Sequence, residues 1–485
     1  MKHNGPFNFN NTYTTLPHVL YTRTTPVRVK NPQPVILNES LATAMNLDFS
    51  QMTSQDQGAL FAGNQLPEGA DPLAQAYAGH QFGHFTMLGD GRAILLGEHM
   101  TSQGNRLDIQ LKGSGRTPYS RRGDGRAALG PMLREYILSE AMHALGIPTT
   151  RGLAVVTTGE SVHRDRVLPG AILTRVAASH IRVGTFECAA TAQDPVVLEA
   201  LMDYTIDRHY PEVREADNAG IGLLKAMMNR QVDLIVHWMR VGFIHGVMNT
   251  DNMALSGETI DYGPCAFMDA YHPNTVFSSI DVMGRYAYAN QPVMAQWNIA
   301  RLAQSLLPLI DPDVNKAIDS VQQIVDSFSS LYHNKWLAMM CAKLGFLDDN
   351  VEDEMLIADL LDWMCQQHAD FTHTFRALSD KDRPVGGVYD SDAFQAWYHR
   401  WQSRLVHAGK PFEACVELMQ QTIPIVIPRN HAVEQALADA VAGDLRTLYR
   451  LLDALQSPYQ DSESSRMYQV IPEPSEHIYQ TFCGT

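Results

Sequence analysis

The sequence predicts an α+β protein with a mixed first half and a helical second half. From about residue 81 to residue 185, short apolar segments alternate with glycine-rich turns, as is typical of antiparallel strands. Beyond about residue 200, apolar residues recur at helical spacing over long stretches. Because strand-rich and helix-rich regions are segregated along the chain, we expect two lobes and not a parallel βαβ sheet.

We divide the chain into four parts on this basis. Residues 1–80 are rich in Asn, Thr and Pro, and we predict an irregular extension that packs on the lobes, with one short helix near 39–45. Residues 81–200 form the predicted N-lobe and 201–457 the helical C-lobe. Residues 458–485 are the predicted tail, which is extended and carries Cys483 near its end.

Individual elements of the N-lobe follow from local patterns. Apolar segments at 86–88 and 93–96 flank the glycine-rich turn at 89–92, which predicts a β-hairpin. Residues 107–112 alternate like a strand with one face buried. Residues 130–145 have helical spacing, with Pro131 near the start.

The second half contains the longest helical patterns. Residues 223–241 predict an amphipathic helix that ends at Gly242. A second helical block covers 291–455 and is interrupted by a loop at 379–391.

Composition and charge exclude several classes of protein. The apolar fraction of 45% and charged fraction of 19% are ordinary for a globular chain. The net charge of −16 disfavours generic nucleic-acid binding, because an acidic surface repels the phosphate backbone. The polar N-terminus has no signal core, and the best membrane-span candidate, 224–247, is interrupted by charges. We therefore expect a cytoplasmic protein that binds no membrane. We take it to be a monomer, although no feature of the sequence sets the oligomeric state.

Several residues that are uninformative singly occur in the order in which a protein kinase carries its nucleotide-binding residues. Gly89 and Gly91 lie in a glycine-rich turn, Lys112 ends a strand, and Glu135 lies on the next helix. A long helix then leads to the segment 245–252, and a short turn leads to Asp261. Singly, the glycines favour a simple turn, and the lysine and glutamate favour solvated side chains. Together they resemble the protein-kinase set of glycine-rich loop, strand lysine, helix glutamate, catalytic loop and metal aspartate.

The chemistry of a bound nucleotide needs these residue types. Lysine neutralises phosphate charge, a glutamate holds that lysine, and an Asn/Asp pair binds a divalent metal through oxygen. We therefore expect Glu135 to pair with Lys112, and Asn252 and Asp261 to bind Mg²⁺.

The catalytic loop departs from the kinase pattern at one position. With His245 and Asn252 in the first and last places, the place of the kinase base is taken by Val247, which cannot accept a proton. A carboxylate is present instead at Asp251, next to Asn252, the proposed metal ligand. Two interpretations remain open: a dead kinase that binds nucleotide, or an enzyme whose reactive phosphorus lies elsewhere.

Arginines are dense in the segments where the N-lobe and hinge are expected. They occupy positions 116, 121, 122, 126, 175 and 182. Any single arginine is as easily a surface salt bridge, but such a cluster in an acidic chain favours a triphosphate site, because guanidinium groups bind phosphate bidentately.

Several longer stretches resemble the selenoprotein O (SelO, bacterial YdiU) family of pseudokinases. They are 77–83 (YAGHQFG), 88–92 (LGDGR), 111–121 (LKGSGRTPYSR), 123–126 (GDGR), 134–136 (REY), 146–151 (GIPTTR), 246–252 (GVMNTDN) and 261–264 (DYGP). The resemblance covers roughly residues 75–300, and the chain length also fits.

The resemblance implies a protein-kinase-like fold in which ATP binds inverted, with its γ-phosphate buried and its α-phosphate exposed. The reaction would then be AMPylation of Ser, Thr or Tyr on proteins, with pyrophosphate leaving. By the same resemblance Asp251 is the catalytic base, and Asn252 and Asp261 are metal ligands. The implied nucleotide contacts are Gly89, Gly91, Arg92, Lys112, Asp124, Gly125, Arg175, Arg182 and Asp261.

Three alternatives to AMPylation stay open. Some bacterial members of the family are described as using UTP with Mn²⁺ for UMPylation. A phosphotransferase in which Asp251 reaches the hydroxyl, and a non-catalytic ATP-binding scaffold, are the others.

Family members also carry a selenocysteine or cysteine third from the end, the position of Cys483 here, and a tail disulfide is known among them. Cys265 is the cysteine that follows Asp261, and a bridge between Cys265 and Cys483 is a hypothesis.

Overall fold

The computed structural model describes residues 6–348, 350–380, 383–407, 409, 411–472 and 481. The strands are β1 Tyr21–Arg23, β2 Gln33–Leu37, β3 Leu73–Gln75, β4 Ala78–Gln81, β5 His84–Met87, β6 Ala93–Met100, β7 Arg106–Lys112, β8 Ala127–Ala128, β9 Arg151–His163, β10 Val167–Ala177, β11 Phe243–Ile244 and β12 Ala266–Phe267.

The helices are α1 Glu39–Ala44, α2 Ser54–Phe61, α3 Leu129–Ala144, α4 Val183–Thr191, α5 Pro195–His209, α6 Ala219–Val241, α7 Gln291–Ile310, α8 Val314–Asp326, α9 Phe328–Lys343, α10 Asp353–Gln367, α11 Phe371–Leu378, α12 Asp392–His407, α13 Phe412–Thr422, α14 Asn430–Val441, α15 Arg446–Leu455 and α16 Glu463–Arg466. Sheet and helices are segregated along the chain, and the α+β prediction is confirmed.

An antiparallel sheet forms the first lobe. Its strands are ordered β1-β3-β6-β7-β10-β9-β2, and β8 pairs with β10. The predicted strand at 107–112 is confirmed as β7, but both of its faces are buried. Ile109 and Leu111 pack in an apolar core on one face, and Asp108 and Gln110 make buried polar contacts on the other. The predicted helix at 130–145 is confirmed as α3, whose apolar side chains pack against the sheet and against α14 and α15.

The N-terminal residues are more regular than predicted. The prediction of an irregular segment up to residue 80 is wrong in part, because β1, β2 and β3 add strands to both sides of the main sheet. These strands are short, and β1 and β2 lie at the sheet edges, so their sequences lack the alternation of a central strand. The predicted helix near 39–45 is confirmed as α1, which Asn38 caps through Leu41 N.

The predicted hairpin around the glycine-rich turn is wrong in its pairing. β5 pairs with β4, whereas β6 pairs with β3 and β7. The backbone N–H groups of Leu88 and Asp90 donate to Tyr77 O and Gln75 O, both at 2.9 Å. The segment 88–90 therefore continues alongside 75–77 and cannot fold back against β6.

The helical lobe is built around α6, which is buried around most of its surface and exposes only Lys225, Asn229 and Asp233. Its predicted end is confirmed, because Gly242 takes the left-handed conformation with φ 71° and its N–H donates to Trp238 O. The predicted interruption at 379–391 falls between α11 and α12. The predicted extended tail contains one short helix, α16, capped by Ser462.

Two helices of the predicted C-lobe contact the other lobe. α14 and α15 share a core with α3, which includes Leu133, Ile137, Val433 and Leu448. Arg134 on α3 also donates to Asn430 Oδ1 at 2.8 Å and to Cys265 O at 2.7 Å. Helices α14 and α15 are thereby fixed to the helix that carries Glu135.

Within the described residues, no helix is both long and apolar enough to cross a membrane.

Candidate active site

Four buried or partly buried charges meet at the end of the central strands. Lys112 Nζ donates to Glu135 Oε2 and to Asp261 Oδ1, both at 2.6 Å. Arg175 Nη1 donates to the same Asp261 oxygen at 2.6 Å and to Glu135 Oε1 at 3.1 Å. The predicted pair of Lys112 and Glu135 is formed, and we call these four residues the inner cluster.

Strand register explains why the inner cluster forms. Gln110 and Lys112 lie on β7 with their side chains on one face, and Arg175 on β10 pairs with Gln110 in register. The Gln110 side-chain oxygen accepts from Arg175 Nε at 3.2 Å and from Nη2 at 2.6 Å. The guanidinium is thus held on both edges, and the side chain of Arg175 is 2% exposed.

Asp261 is the electrostatic centre of the cluster. It has a left-handed backbone, with φ 63°. Burial by itself would raise the pKa of its carboxyl, but Arg175, Lys112 and Arg182 hold that pKa well below its ordinary value. The carboxylate is therefore charged, and it neutralises the cations that would otherwise attract phosphate.

Arg182 connects the inner cluster to the catalytic loop. It precedes α4, and its Nη1 donates to the backbone oxygen of Asp251 at 3.2 Å. The same nitrogen lies 3.6 Å from Asp261 Oδ2, and the guanidinium carbon lies 4.3 Å from the centre of the Tyr77 ring. Arg182 therefore lies between Asp251 and Asp261, the two acidic residues that the sequence analysis proposed for the site.

Asp251 lies in a tight, largely buried position. Its Oδ1 is buried and has no hydrogen-bond partner among the described residues. Burial raises the pKa of its carboxyl to about 6, although Arg182 opposes that shift. Asp251 also lines the cavity, and a carboxylate there with a pKa of about 6 is suited to accept a proton from a substrate.

The two predicted metal ligands flank the same space. Asn252 Nδ2 donates to Val247 O at 3.0 Å, which leaves the amide oxygen as the metal-binding atom. Across the described residues, no group of three or more His, Cys, Asp or Glu side chains is placed to hold a metal. Two oxygen ligands fit Mg²⁺ or Mn²⁺ only when phosphate and water oxygens complete the coordination. The residues therefore fit a metal that arrives with a nucleotide.

The glycine-rich turn approaches another loop closely. A Cβ on Gly89 would lie 2.4 Å from the Tyr119 ring, and one on Gly91 would lie 3.0 Å from Tyr119 O. Thr117 and Ser120 donate to the backbone oxygens of Asp90 and Gly91. These glycines are required for packing against the 117–120 loop, a reason that the sequence did not reveal.

Asp124 and Gly125 lie at a more exposed part of the cavity. Arg164 donates to both Asp124 oxygens, at 2.9 and 3.0 Å, and this ion pair lowers the pKa of the Asp124 carboxyl. Gly125 has φ 69°, and a Cβ there would overlap Gly115 O. Arg164 comes from the turn between β9 and β10 and was missed, because a lone arginine in a turn gives no sequence signal.

One cavity of about 700 Å³ gathers the predicted residues. Its lining includes Gly89, Gly91, Arg92, Lys112, Asp124, Gly125, Arg175, Arg182, Asp251, Asn252 and Asp261. Glu135 does not line it and lies behind Lys112. Residues that the sequence did not suggest also line the wall, among them Tyr77, Gln81, Asp90 and Arg164.

Of the two cysteines in the predicted tail disulfide, the structure describes one. Cys265 is buried, and Cys483 lies outside the described residues. Thr481 is described, and its hydroxyl donates to Pro264 O at 2.6 Å. The bridge stays a prediction.

The fold and the cavity together define an α+β protein whose cleft gathers buried cations and carboxylates. A family model described as protein adenylyltransferase SelO matches residues 6–456. A protein nucleotidyltransferase YdiU of Nitrosococcus oceani is 58% identical over 487 residues, which cover 100% of this chain and 99% of that protein. The YdiU proteins of Alcanivorax borkumensis and Bacillus cytotoxicus are 56% and 55% identical over 480 residues, covering 99% of this chain and 99% and 98% of theirs.

The chain belongs to the SelO protein adenylyltransferase family and is an enzyme of the nucleotidyltransferase class. Enzymes of this class take a nucleoside triphosphate as substrate.

Proposed function

We propose that this enzyme transfers AMP from ATP to Ser, Thr or Tyr hydroxyls of target proteins and releases pyrophosphate. The main support is that three buried cations, Lys112, Arg175 and Arg182, line the same cavity as a separate carboxylate, Asp251. Val247 fills the position of the kinase base, so the proton must go to another group. The roles of the individual site residues are part of this proposal.

The reaction requires one bond to form and one to break. The target hydroxyl oxygen attacks the α-phosphorus, and the bond from that phosphorus to the bridging oxygen of the β-phosphate breaks. Asp251 takes the hydroxyl proton, and pyrophosphate carries away the released electron pair. Lys112, Arg175 and Arg182 neutralise the phosphates, which stabilises the leaving group because charge builds up there in the transition state.

A divalent metal held by Asn252 and Asp261, when bound, would polarise the phosphate oxygens as a Lewis acid. Asp261 is occupied by Lys112 and Arg175 without a nucleotide. A triphosphate can replace this carboxylate as the partner of both cations, because phosphate oxygens accept the same hydrogen bonds. Asp261 would then be available, together with Asn252, to hold the metal.

UMPylation from UTP with Mn²⁺ is the second candidate function. The relatives are named for nucleotidyl transfer in general, and the inner cluster would contact phosphates that ATP and UTP share. A kinase reaction with Asp251 reaching the hydroxyl is a third. We further propose that the enzyme acts as a cytoplasmic monomer.

Label transfer separates these functions. The enzyme is incubated with a protein acceptor and either α-labelled or γ-labelled ATP, with α-labelled UTP in parallel, each with Mg²⁺ or Mn²⁺. AMPylation predicts protein labelling from α-labelled ATP and none from γ-labelled ATP. Labelling from the γ-position would establish a kinase instead. Asp251→Ala serves as the control for background labelling.

A further inference from the structure

A buried threonine precedes the proposed base. Thr250 is 0% exposed, and its hydroxyl has two partners. It donates to Glu187 Oε2 at 2.5 Å and accepts from the backbone N–H of His80 at 2.7 Å. One hydroxyl thereby connects the catalytic loop to α4, which carries Glu187, and to β4, which carries His80.

Glu187 completes a closed network. Its other oxygen, Oε1, lies 2.5 Å from Nδ1 of the His80 ring, so the carboxylate contacts Thr250 and His80 at once. The His80 ring lies edge-on to Trp297 and Phe85, with ring centres 5.2 and 5.3 Å away. Thr250 and Glu187 are buried and the His80 side chain is 18% exposed, and none of the three lines the cavity.

The same two elements enclose Asp251. A Cβ on Gly79 of β4 would lie 2.3 Å from Asp251 Oδ1. A Cβ on Gly184 of α4 would lie 1.9 Å from Ala78 O and 3.4 Å from Asp251 Cα. The spacing of β4 and α4 therefore fixes where the Asp251 carboxylate can be.

We propose that Glu187, Thr250 and His80 are positioning residues that hold the Asp251 carboxylate in its reactive place. This inference rests on the proposed role of Asp251 as the base in nucleotidyl transfer. The physical reason is that a displacement of about 1 Å in a reacting group can reduce a rate by about 100-fold. Removal of the Thr250 hydroxyl would leave the Glu187 oxygen and the His80 N–H without their partner, so the loop would shift to satisfy them.

Paired substitutions at Thr250 test the proposal. Thr250→Val keeps the shape and loses the hydroxyl, and we expect kcat for transfer to fall about tenfold or more while the nucleotide KM changes by less than about threefold. Thr250→Ser restores the hydroxyl, and we expect it to recover most of the lost kcat. Thr205→Val is the matched control, because Thr205 is equally buried and its hydroxyl donates only within α5, to Leu201 O.

The same substitution made in an Asp251→Ala variant distinguishes a positioning role of Thr250 from a general effect on packing. In Asp251→Ala, the carboxylate that the network would position is gone. Adding Thr250→Val to Asp251→Ala should therefore cost no further activity, and the two changes should be strongly non-additive. A further loss of similar size in the double variant would overturn the proposal, as would full activity of Thr250→Val in the wild-type background.

The two hypotheses fail in different ways. If the wild-type enzyme labels no protein from ATP or UTP, the proposed function fails first. If the wild type labels protein and Thr250→Ser is as impaired as Thr250→Val, the function stands and the positioning role falls. Equal melting temperatures of the variants, with unchanged nucleotide affinity, exclude unfolding as the cause of a lower kcat.

Discussion

Arg175 Nη1 donates to Asp261 Oδ1 at 2.6 Å, so a proposed phosphate-binding cation is paired with a proposed metal ligand. Lys112 donates to the same oxygen. The proposed function therefore includes an exchange of partners, in which a triphosphate would replace Asp261 at these cations and Asp261 would be free to hold a metal.

Asp261→Asn tests this exchange. The substitution removes the carboxylate charge that competes with phosphate, and it also removes a metal ligand. We expect metal-dependent transfer to be abolished, while ATP binds in EDTA at least as tightly as to the wild type. Calorimetric titration and the label-transfer assay measure the two effects. Retained metal-dependent transfer would contradict the assigned metal site.

Asp251→Ala tests the proposed base. Loss of a general base lowers rates by about 10² to 10⁴-fold, and we expect a decrease of that size in kcat. Nucleotide affinity should change little, because Arg182 contacts the backbone oxygen of residue 251 and not its side chain. Single-turnover label transfer measures the rate. A wild-type rate in this variant would place the base elsewhere.

Arg175→Ala should affect both nucleotide binding and stability. The sequence suggested a nucleotide contact alone, but the buried guanidinium also pairs with Glu135 and Gln110. Breaking one partner of a buried ion pair costs about 3–5 kcal/mol, so we expect a clearly lower melting temperature as well as weaker ATP binding. Arg214→Ala is the surface control, because that arginine pairs with Asp203 in an exposed position, where such pairs contribute about 0–1 kcal/mol.

Gly79→Ala should displace the Asp251 side chain. The added Cβ would lie 2.3 Å from Oδ1 and 2.9 Å from the Asp251 Cβ, so the whole side chain must move. We expect kcat to fall by about tenfold or more, with nucleotide affinity retained. Gly130→Ala is the control, because a Cβ there meets no atom within 4 Å. Equal kcat values for the two variants would show that Asp251 tolerates displacement.

Glu258 should make stability depend on pH. Burial raises the pKa of its carboxyl from 4.5 to about 7, although the hydrogen bond from Ser256 opposes that shift. Ala178 N and Arg208 also lower that pKa, and Asp108 raises it. Because the folded state holds the proton more tightly, the stabilising contribution is complete below pH 4.5 and is lost as the pH rises through 7.

Glu258→Gln removes this charge and keeps an acceptor for Ser256 and Ala178. We expect the wild type to lose on the order of 1–3 kcal/mol between pH 5 and pH 8 that the variant retains. Melting curves of both proteins across this range measure the difference. Parallel curves would show that the pKa of Glu258 is the same in the folded and unfolded states.

Local pattern was sufficient for much of the fold. The strand at 107–112 and the helices at 130–145 and 223–241 were predictable because each has a clear apolar period, and Gly242 marks an end that requires a left-handed residue. The pairing of β5 with β4 was not predictable. Two glycines between apolar segments suggest a turn, but contacts with residues 75–77 decided the path.

The sequence by itself determined the α+β class, the order of the catalytic elements and the loss of a carboxylate at Val247, since these depend on residue type and spacing. Only the tertiary structure decided that Asp261 is paired with Lys112 and Arg175, and that Thr250 joins Glu187 to His80. Those contacts link residues far apart in the chain. Their geometry follows from strand register and from the close approach of β4 to α4, which no local pattern encodes.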